Sequence, residues 1–448
     1  MSRPTHDLTV PSGDDLPEGA TPGNEAGPSR RRVVLSASAG TFVEYYDFAI
    51  YGAFATTLAQ VFFPQQDPTA ALLSTFAVFA GAFVARPLGG LIWGPLGDRI
   101  GRQRTLVITI TVMTIATIVI GLIPSHASIG ALAPVLLVVM RLVQGLSAGG
   151  EMPGAAIFVG EHSPARRRGY LASWLQVSNV VALLTGILIA AILTGLLSPE
   201  DLQSWGWRIP FFIAAPLGLI GLYVRRRVED TPSFTALKEA GGTARSPIRD
   251  LFAGGHLKPF LLAMALATPT TVPYYLLMTY MPTFFRTGLK FSQAQGLWAV
   301  VAAGAVLLAV IPFAGRLSDR IGRRRALMTA CLAFFVLTFP AWALLTSGHF
   351  ALAVLGMMVL SVPCGLAMGN LLAAAIEQFP TAVRYTGFAL SLGVSVALFS
   401  GTAPYVSAAL VSGTGSLYAP AFYLVGVVLL PFLASFALRD TSRRPLAD

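Results

Sequence analysis

A single apolar run near the start of the chain contains Ala39-Gly40-Thr41-Phe42-Val43-Glu44-Tyr45-Tyr46-Asp47-Phe48-Ala49-Ile50-Tyr51-Gly52. The run begins after the arginines at 30–32 and lasts to about Phe63, which is enough to cross a bilayer, since that takes roughly 20 residues. It nevertheless carries two carboxylates, Glu44 and Asp47, near one face of the predicted helix. At about 1.5 Å per residue, Asp47 lies roughly 22 Å beyond Arg32 and so near the middle of the membrane. A carboxylate is costly there, so we interpret this face as a functional site.

The composition is that of a membrane protein. Of the 448 residues, 54% are hydrophobic and only 12% are charged, whereas a soluble domain usually has about 25% charged residues. The apolar residues also come in long blocks, so we predict an all-α membrane protein rather than a barrel. The net charge of +10 comes from Lys and Arg at the ends of alternate blocks, which is typical of cytoplasmic loops and argues for a lipid bilayer rather than nucleic acid as the partner.

Twelve apolar segments are predicted to span the membrane, with both termini on the cytoplasmic side. They cover residues 33–63, 69–97, 105–123, 130–159, 170–197, 207–224, 259–285, 293–317, 326–346, 350–378, 385–411 and 418–438. We predict a disordered cytoplasmic tail at 1–29, a six-helix bundle at 30–226 and a cytoplasmic linker at 227–257. A second six-helix bundle at 258–439 and a short cytoplasmic tail at 440–448 complete the chain.

The two halves repeat one loop pattern. Gly94-Pro-Leu-Gly-Asp98-Arg99-Ile-Gly-Arg102 follows the second segment, and Gly315-Arg-Leu-Ser-Asp319-Arg320-Ile-Gly-Arg323 follows the eighth. Each aspartate is placed to accept hydrogen bonds from a helix start or to pair with a neighbouring arginine, and each first glycine permits close helix approach. Further along each half, Glu161 precedes Arg168 and Glu377 precedes Arg384 at the same spacing. The repeats indicate a duplicated six-helix unit, and transporters often bind their solute between such repeats.

These loops resemble those of the major facilitator superfamily, in which the motif latches the cytoplasmic side shut in the outward-facing state. The resemblance implies two pseudo-symmetric bundles of six helices. It also implies a gating role for the residues of the repeated loops: Gly94, Asp98, Arg99, Arg102, Glu161, Arg168, Asp319, Arg320, Arg323, Glu377 and Arg384.

A finer resemblance, to the metabolite:proton symporter family, covers nearly all of residues 32–445. The motifs that carry it are Glu44-Tyr-Tyr-Asp47-Phe-x-x-Tyr51-Gly52, Arg86-Pro-Leu-Gly-Gly90, Arg141-Leu-Val-Gln144-Gly145, Trp205-Gly-Trp-Arg-Ile-Pro-Phe211, Asp230-Thr-Pro-Ser-Phe234 and Pro273-Tyr274-Tyr275. The resemblance implies proton-driven uptake by alternating access across the bacterial cell membrane. Within the family, the pattern is most similar to symporters of small zwitterions such as proline or glycine betaine.

Proton coupling is expected in the N-terminal half, through Asp47, Glu44 or Glu151. Glu44, Arg86 and Glu151 come to similar depths, with Asp47 and Arg141 deeper, at about 1.5 Å of rise per residue. We expect two carboxylates to compete for one arginine, so that one of them exchanges protons. The alternative is a static ion-pair network that holds this half together.

The substrate site is expected to combine aromatic rings with a cation. A quaternary ammonium group binds over electron-rich rings, and an arginine binds a carboxylate. The predicted aromatic residues are Tyr45, Tyr46, Tyr51, Trp174, Tyr274, Tyr275 and Tyr280, although membrane Tyr and Trp more often pack or lie at the interface. The predicted polar residues are Arg86, Arg141, Gln144, Gln176, Asn179 and Asn370. The stretch from Gly149 to Gly154 is expected to break or bend the fourth span.

Three other functions remain open. A symporter of an organic anion, such as a dicarboxylate or an aromatic acid, would need more arginine in its cavity. A drug–proton antiporter is disfavoured because segment five lacks the expected Gly- and Pro-rich signature. An enzyme is disfavoured because the sequence has no nucleophile–base pair, and no metal-ligand residues accompany Cys331 and Cys364. A transport-dead sensor is disfavoured because no signalling domain is expected. No nucleotide-binding loop is present, so we expect no cofactor, and we expect a monomer.

Overall fold

The computed structural model describes residues 30–64, 67–226, 235, 247–253, 255–438, 440–442, 444 and 446. This part of the chain consists of helices joined by short loops, and no strand lies within it. The predicted tail at 1–29, most of the linker at 227–257, the motif at 230–234 and part of the C-terminal tail lie outside the described residues.

The first half forms six helices. Their bounds are α1 Arg30–Ala53, continued by Ala55–Phe62; α2 Pro68–Ile100; α3 Arg102–Leu122; α4 Leu132–Glu161; α5 Arg168–Leu196; and α6 Ile209–Arg226. Short helices at His126–Ile129 and Pro199–Ser204 lie between them. The predicted stretch around Gly149 does not interrupt α4, which is a continuous helix through Pro153.

The second half repeats this arrangement after the short helix Pro247–Ala253. Its helices are α7 Leu257–Tyr275, continued by the π turn Leu276–Tyr280 and by Met281–Thr287; α8 Gln293–Ile321; α9 Arg323–Leu345; α10 Phe350–Ile376; α11 Arg384–Ser395, continued by the π turn Val396–Ser400 and by Ala403–Thr414; and α12 Ala419–Ser435. Ten of the described helices are long and apolar enough to cross a membrane. With α1 and the shorter apolar α12, they form the predicted twelve-helix fold.

Small residues set how closely the helices of a bundle approach. A Cβ added at Gly145 of α4 would lie 2.0 Å from the carbonyl oxygen of Ala82 on α2. At Gly149 it would lie 2.4 Å from the carbonyl oxygen of Arg86. The glycines of α4 therefore serve close packing against α2, as small residues do between membrane helices.

The polarity of the surface is that expected in lipid. Large apolar side chains such as Val84, Leu196, Leu219 and Val336 are exposed on the outside of the bundles. Many charged side chains are buried inside, so the usual distribution of a soluble protein is inverted. Helices α1–α6 pack into one bundle and α7–α12 into another, and the bundles meet mainly where α2 contacts α11 and α5 contacts α8.

Candidate functional site: a central cavity and a closed end

A cavity of about 770 Å³ lies between the two bundles. It is lined by the second part of α1, the start of α2, one face of α5, and the segment of α7 from Tyr274 to Thr287. The exposed residues of its lining include Gln60, Pro64 and Arg286. They lie at the end opposite the arginine-rich end, by which we mean the end that carries Arg99, Arg102, Arg168, Arg323 and Arg384. Its volume is in the range typical of small-molecule sites, which is about 300–1,000 Å³.

The inner part of the cavity is aromatic. The rings of Tyr45 and Tyr274 meet edge to face at 6.0 Å, and those of Tyr274 and Tyr275 at 5.5 Å. Phe48 completes this wall, and all four side chains are buried. Arg286, which is exposed, is the one charged residue among those that line the cavity, and no carboxylate lies among them. The cavity therefore offers ring faces, a few hydroxyls and a single cation.

The rotation of α1 explains which predicted aromatic residues reach this wall. Tyr45, Phe48, Ala49 and Gly52 follow one another at helical spacing and line the cavity together. Tyr46 instead faces α6, where its hydroxyl donates to the carbonyl oxygen of Pro210 at 2.9 Å.

Three further predicted aromatic residues lie outside the cavity lining. The hydroxyl of Tyr51 donates to the carbonyl oxygen of Thr75 at 3.0 Å. Tyr280 packs on Phe284, with ring centroids 5.7 Å apart. Trp174 is 39% exposed and contacts Tyr170. Interhelical packing and the bundle surface account for these three rings.

The predicted polar liners are also engaged elsewhere. The amide of Asn179 donates to Gln176 Oε1 at 2.7 Å, and both side chains are buried. Asn370 lies at the arginine-rich end, where its amide donates to the carbonyl oxygen of Arg323 at 3.1 Å. Gln144 belongs to the ion-pair network described next. None of them is among the residues that line the cavity.

Asp47 lies in a buried hydrogen-bond network. Its carboxylate accepts from Arg141 Nη1 at 2.7 Å, from Gln144 Nε2 at 2.8 Å and from Thr117 Oγ1 at 3.0 Å. The guanidinium of Arg141 also stacks over the ring of Tyr51, 3.8 Å from its centroid. Every member is buried, so this cluster ties α1 to α3 and α4.

Glu151 is held by an arginine that lies one residue beyond the predicted sixth span. Arg225, at the end of α6, donates through both terminal nitrogens to Glu151, and Thr109 donates to the same carboxylate at 2.7 Å. Arg225 also donates to the carbonyl oxygen of Leu106 at 2.8 Å. It is 2% exposed, whereas its neighbour Arg226 is exposed, and the run of three arginines gave no sign of which one would turn inward.

Glu44 forms an ion pair with a third arginine, Arg86. Arg86 Nη2 donates to Glu44 Oε1 at 2.7 Å, while Glu44 Oε2 has no hydrogen-bond partner among the described residues. The Arg86 guanidinium lies between the rings of Phe48 and Phe83, at 4.9 and 4.8 Å from their centroids. The expectation that two carboxylates compete for one arginine is therefore wrong for this conformation, because each of the three has its own. Neither Arg86 nor Arg141 lines the cavity.

At the arginine-rich end, each bundle caps a helix of the other. Asp98 of α2 accepts from the backbone N–H of Thr386 at 3.1 Å and from its hydroxyl at 2.8 Å, at the start of α11. Asp319 of α8 accepts from the backbone N–H groups of Gly169 and Tyr170, both at 2.8 Å, at the start of α5. Carboxylates are favoured at helix N-termini, where backbone N–H groups are otherwise unpaired.

Close helix approach accompanies both caps. A Cβ at Gly94 would lie 2.8 Å from Thr386 Cα, and one at Gly315 would lie 2.7 Å from the carbonyl oxygen of Gly169. The two loop motifs are therefore used in the same way in both halves.

Ion pairs connect the bundles beside the caps. Arg384 pairs with Glu161 at 2.7 Å and Arg168 with Glu377 at 2.8 Å across the bundles, and Arg323 pairs with Glu377 at 2.9 Å within the second bundle. Arg102 donates to the carbonyl oxygen of Thr381 at 3.1 Å. Arg99 and Arg320, also predicted to act in gating, are exposed.

Tyr385 is the residue at this interface that the sequence did not single out. It projects from α11 into a slot of the first bundle, and its hydroxyl donates to the carbonyl oxygen of Gly150 at 2.7 Å. Added Cβ atoms at Gly97 and Gly154 would come within 2.4 and 2.3 Å of it. The glycines around position 150 were a usable signal, but the partner that fills the space between them was not visible in the sequence.

The fold and the site define a class of protein: a helical membrane transporter whose central cavity is closed at one end by contacts between two repeated bundles. The chain belongs to the Major Facilitator Superfamily, whose sequence profile matches residues 37–397 and 274–448. This confirms the resemblance noted from the loops and identifies a transporter rather than an enzyme.

Known proteins resemble the chain over nearly its whole length. A proline/betaine transporter of Salmonella typhimurium is 38% identical over 424 residues, which are 93% of this chain and 85% of that protein. A citrate-proton symporter of Klebsiella pneumoniae is 32% identical over 413 residues, with 92% of each covered. The proton:xylose symporter XylE superposes with a TM-score of 0.77 at 19% identity, over 93% of this chain and 97% of that one, which shows a shared fold.

Proposed function

We propose that this chain imports a small zwitterionic solute, such as proline or glycine betaine, together with protons. The observation that carries the proposal is the lining of the cavity: buried rings of Tyr45, Phe48, Tyr274 and Tyr275, one exposed cation and no carboxylate. Such rings attract an ammonium group through their faces without a buried counter-charge. The named substrates of the Salmonella typhimurium relative support the same class of solute.

The distribution of positive charge supports the direction of transport. Arginines concentrate at the end where the bundles are latched, and loops rich in Lys and Arg face the cytoplasm. The cavity then opens to the outside, the termini are cytoplasmic, and the protein lies in the bacterial inner membrane. The structure thus corresponds to an outward-facing state, ready to receive solute. A single chain holds the whole cavity, which supports a functional monomer.

Proton coupling is assigned to the buried carboxylates of the first bundle. Asp47, Glu44 and Glu151 lie within its helices, whereas the acidic residues Asp319 and Glu377 of the second bundle lie at the arginine-rich end. Ionisable groups inside a membrane protein commonly mark ion and proton pathways.

An organic anion is the second candidate, because a relative is a citrate-proton symporter. A tricarboxylate would need several cations. Arg86 and Arg141 are already neutralised by Glu44 and Asp47, and only Arg286 remains in the cavity lining. This charge balance favours the zwitterion.

Uptake into proteoliposomes tests the function. With the outside acidic, we expect accumulation of radiolabelled glycine betaine and proline, and a proton ionophore should abolish it. Citrate under the same gradient is the comparison. Accumulation of citrate without either zwitterion would reject the proposal in favour of the second candidate.

A further inference from the structure

We propose that Glu44 carries the transported proton and that Arg86 exchanges its carboxylate partner, from Glu44 to the solute, when Glu44 becomes protonated. This inference rests on the proposed function and names the site of coupling within it.

Glu44 is the most weakly held of the three buried carboxylates. The oxygens of Asp47 accept from three different side chains, and those of Glu151 accept two bonds from Arg225 and a third from Thr109. Glu44 accepts a single bond, from Arg86, and its Oε2 has no partner among the described residues. A buried polar atom without a partner is rare and calls for an explanation, such as a transient occupant.

The Glu44–Arg86 pair lies directly behind the aromatic wall. Glu44 precedes Tyr45 on α1, and Phe48 both lines the cavity and stacks on the Arg86 guanidinium. Tyr275, from α7 of the other bundle, lines the cavity and packs edge to face on Phe83, the second ring that contacts Arg86, with ring centroids 5.0 Å apart. By contrast, Asp47 is bonded to α3 and α4, on the other side of α1. One layer of rings therefore separates the pair from the solute.

The polar atoms near this wall can receive a carboxylate. Arg86 Nε and the hydroxyl of Tyr274 are buried and have no hydrogen-bond partner among the described residues. Arginine binds a carboxylate best through two parallel donors, and Arg86 uses only Nη2 towards Glu44. A solute carboxylate that enters between the rings would occupy this spare donor capacity, while its ammonium group remains against the aromatic faces.

Charge balance couples the two events. The groups around Glu44 are Arg86 on α2, Asp47 on its own helix with Arg141, Glu151 on α4 with Arg225, and the phenols of Tyr45 and Tyr275. When a proton from the outer water binds a Glu44 oxygen, Arg86 becomes a buried cation without a counter-charge, which is strongly unfavourable. The carboxylate of the zwitterion restores the pair. The loaded site then carries one more positive charge than the empty site, so one proton and one net charge cross with each solute.

Binding measured on the whole protein in weakly buffered detergent tests the inference. We expect glycine betaine to cause proton uptake, read with a pH dye, and choline to cause none, because choline has the same trimethylammonium group without a carboxylate. In wild type, the Kd for glycine betaine should rise up to about tenfold per pH unit on the alkaline side of the Glu44 titration. Each such unit lowers the protonated fraction of Glu44 by about tenfold.

Glu44→Gln provides the matched variant. It should bind glycine betaine without proton uptake and with a Kd that does not depend on pH, whereas Glu200→Gln, at an exposed carboxylate outside the site, should keep the proton uptake. Proton uptake that persists in Glu44→Gln, or an equal uptake with choline, would overturn the inference. If Glu44→Gln does not fold, wild type still tests the inference, because a Kd for glycine betaine that does not depend on pH would overturn it. The proposed function is rejected by a different result, in which proteoliposomes that contain wild type take up no zwitterion.

Discussion

At the scale of single residues, three carboxylates of the first bundle are buried with three arginines, and each pair has a different setting. Arg225, the partner of Glu151, also donates to backbone carbonyl oxygens of α1 and α3. Removal of one member of a buried ion pair costs about 3–5 kcal/mol, because the other charge stays buried alone. Among the three carboxylates proposed for proton coupling, we therefore expect Glu151 to contribute most to stability, through its pair with Arg225.

Arg225→Gln should destabilise the first bundle by about 3–5 kcal/mol, because it leaves Glu151 uncompensated. Thermal unfolding in detergent measures the loss. Arg226→Gln, at the exposed neighbour, is the control and should change little. The double variant Arg225→Gln/Glu151→Gln should recover part of the stability, and equal melting temperatures for the two single variants would contradict the assigned role.

The sequence predicted which carboxylates are buried but not their partners. Hydropathy and helical spacing placed Glu44, Asp47 and Glu151 inside the membrane. The pairing of Glu151 with Arg225 depends on how four helices are rotated, and rotation follows from packing that periodicity does not contain. The same ambiguity explains why Tyr46 and Tyr51 were expected in the cavity although they point away from it.

At the scale of elements, the contact of α11 with α2 and α4 closes the arginine-rich end. Tyr385 fills a slot that exists because positions 97 and 154 lack side chains. Its hydroxyl bond to Gly150 crosses from one bundle to the other, so the slot is complete only when the bundles are closed. The helix segments themselves were predictable from hydropathy to within a few residues, whereas this complementarity between two distant helices was not.

Gly154→Ala should weaken the closed end, since the new methyl group would collide with the Tyr385 hydroxyl. Overpacking of this kind costs about 1–3 kcal/mol. A cysteine introduced by Ala389→Cys, in a Cys331→Ala/Cys364→Ala background, measures how accessible the closed end is to a thiol reagent. Ala389 suits this purpose because it is buried in this contact. Its labelling by a thiol reagent should become faster. Gly426→Ala, where an added Cβ meets nothing within 4 Å, is the control, and equal labelling of both variants would rule out the slot.

At the scale of the whole molecule, the two bundles hold each other through symmetric contacts. Asp98 and Asp319 occupy equivalent places, and each loses its charge in an Asn variant while keeping an oxygen acceptor. We expect Asp98→Asn and Asp319→Asn each to weaken the latch by about 0.3–1 kcal/mol, the value of a charge at a helix start. Both should raise labelling of Ala389→Cys by a similar factor. An effect from only one of them would show that the symmetry is not functional.

Acid should release a further part of the latch. Burial raises the pKa of Glu377, but hydrogen bonds from Arg323, Thr441 and Arg168 outweigh it and leave the pKa below the ordinary 4.5. The ionised group therefore stabilises the folded protein fully above pH 4.5, and this contribution is lost as the pH falls through the lowered pKa.

Glu377→Gln should accordingly melt below wild type at neutral pH, and the difference should shrink as the solution is acidified below pH 4.5. Glu200→Gln, at an exposed carboxylate, is the reference and should track wild type throughout. A gap between Glu377→Gln and wild type that stays constant on acidification would argue against the ionised pair.

The exchange of helix caps between bundles has a consequence for how the transporter changes state. When the bundles separate at the arginine-rich end, the first turns of α5 and α11 lose their acceptors at the same moment. The amides of Gly169, Tyr170 and Thr386 cannot stay bare in a dry crevice, so solvent has to arrive as the carboxylates leave. Inward opening at this end therefore has to be accompanied by hydration of two helix starts.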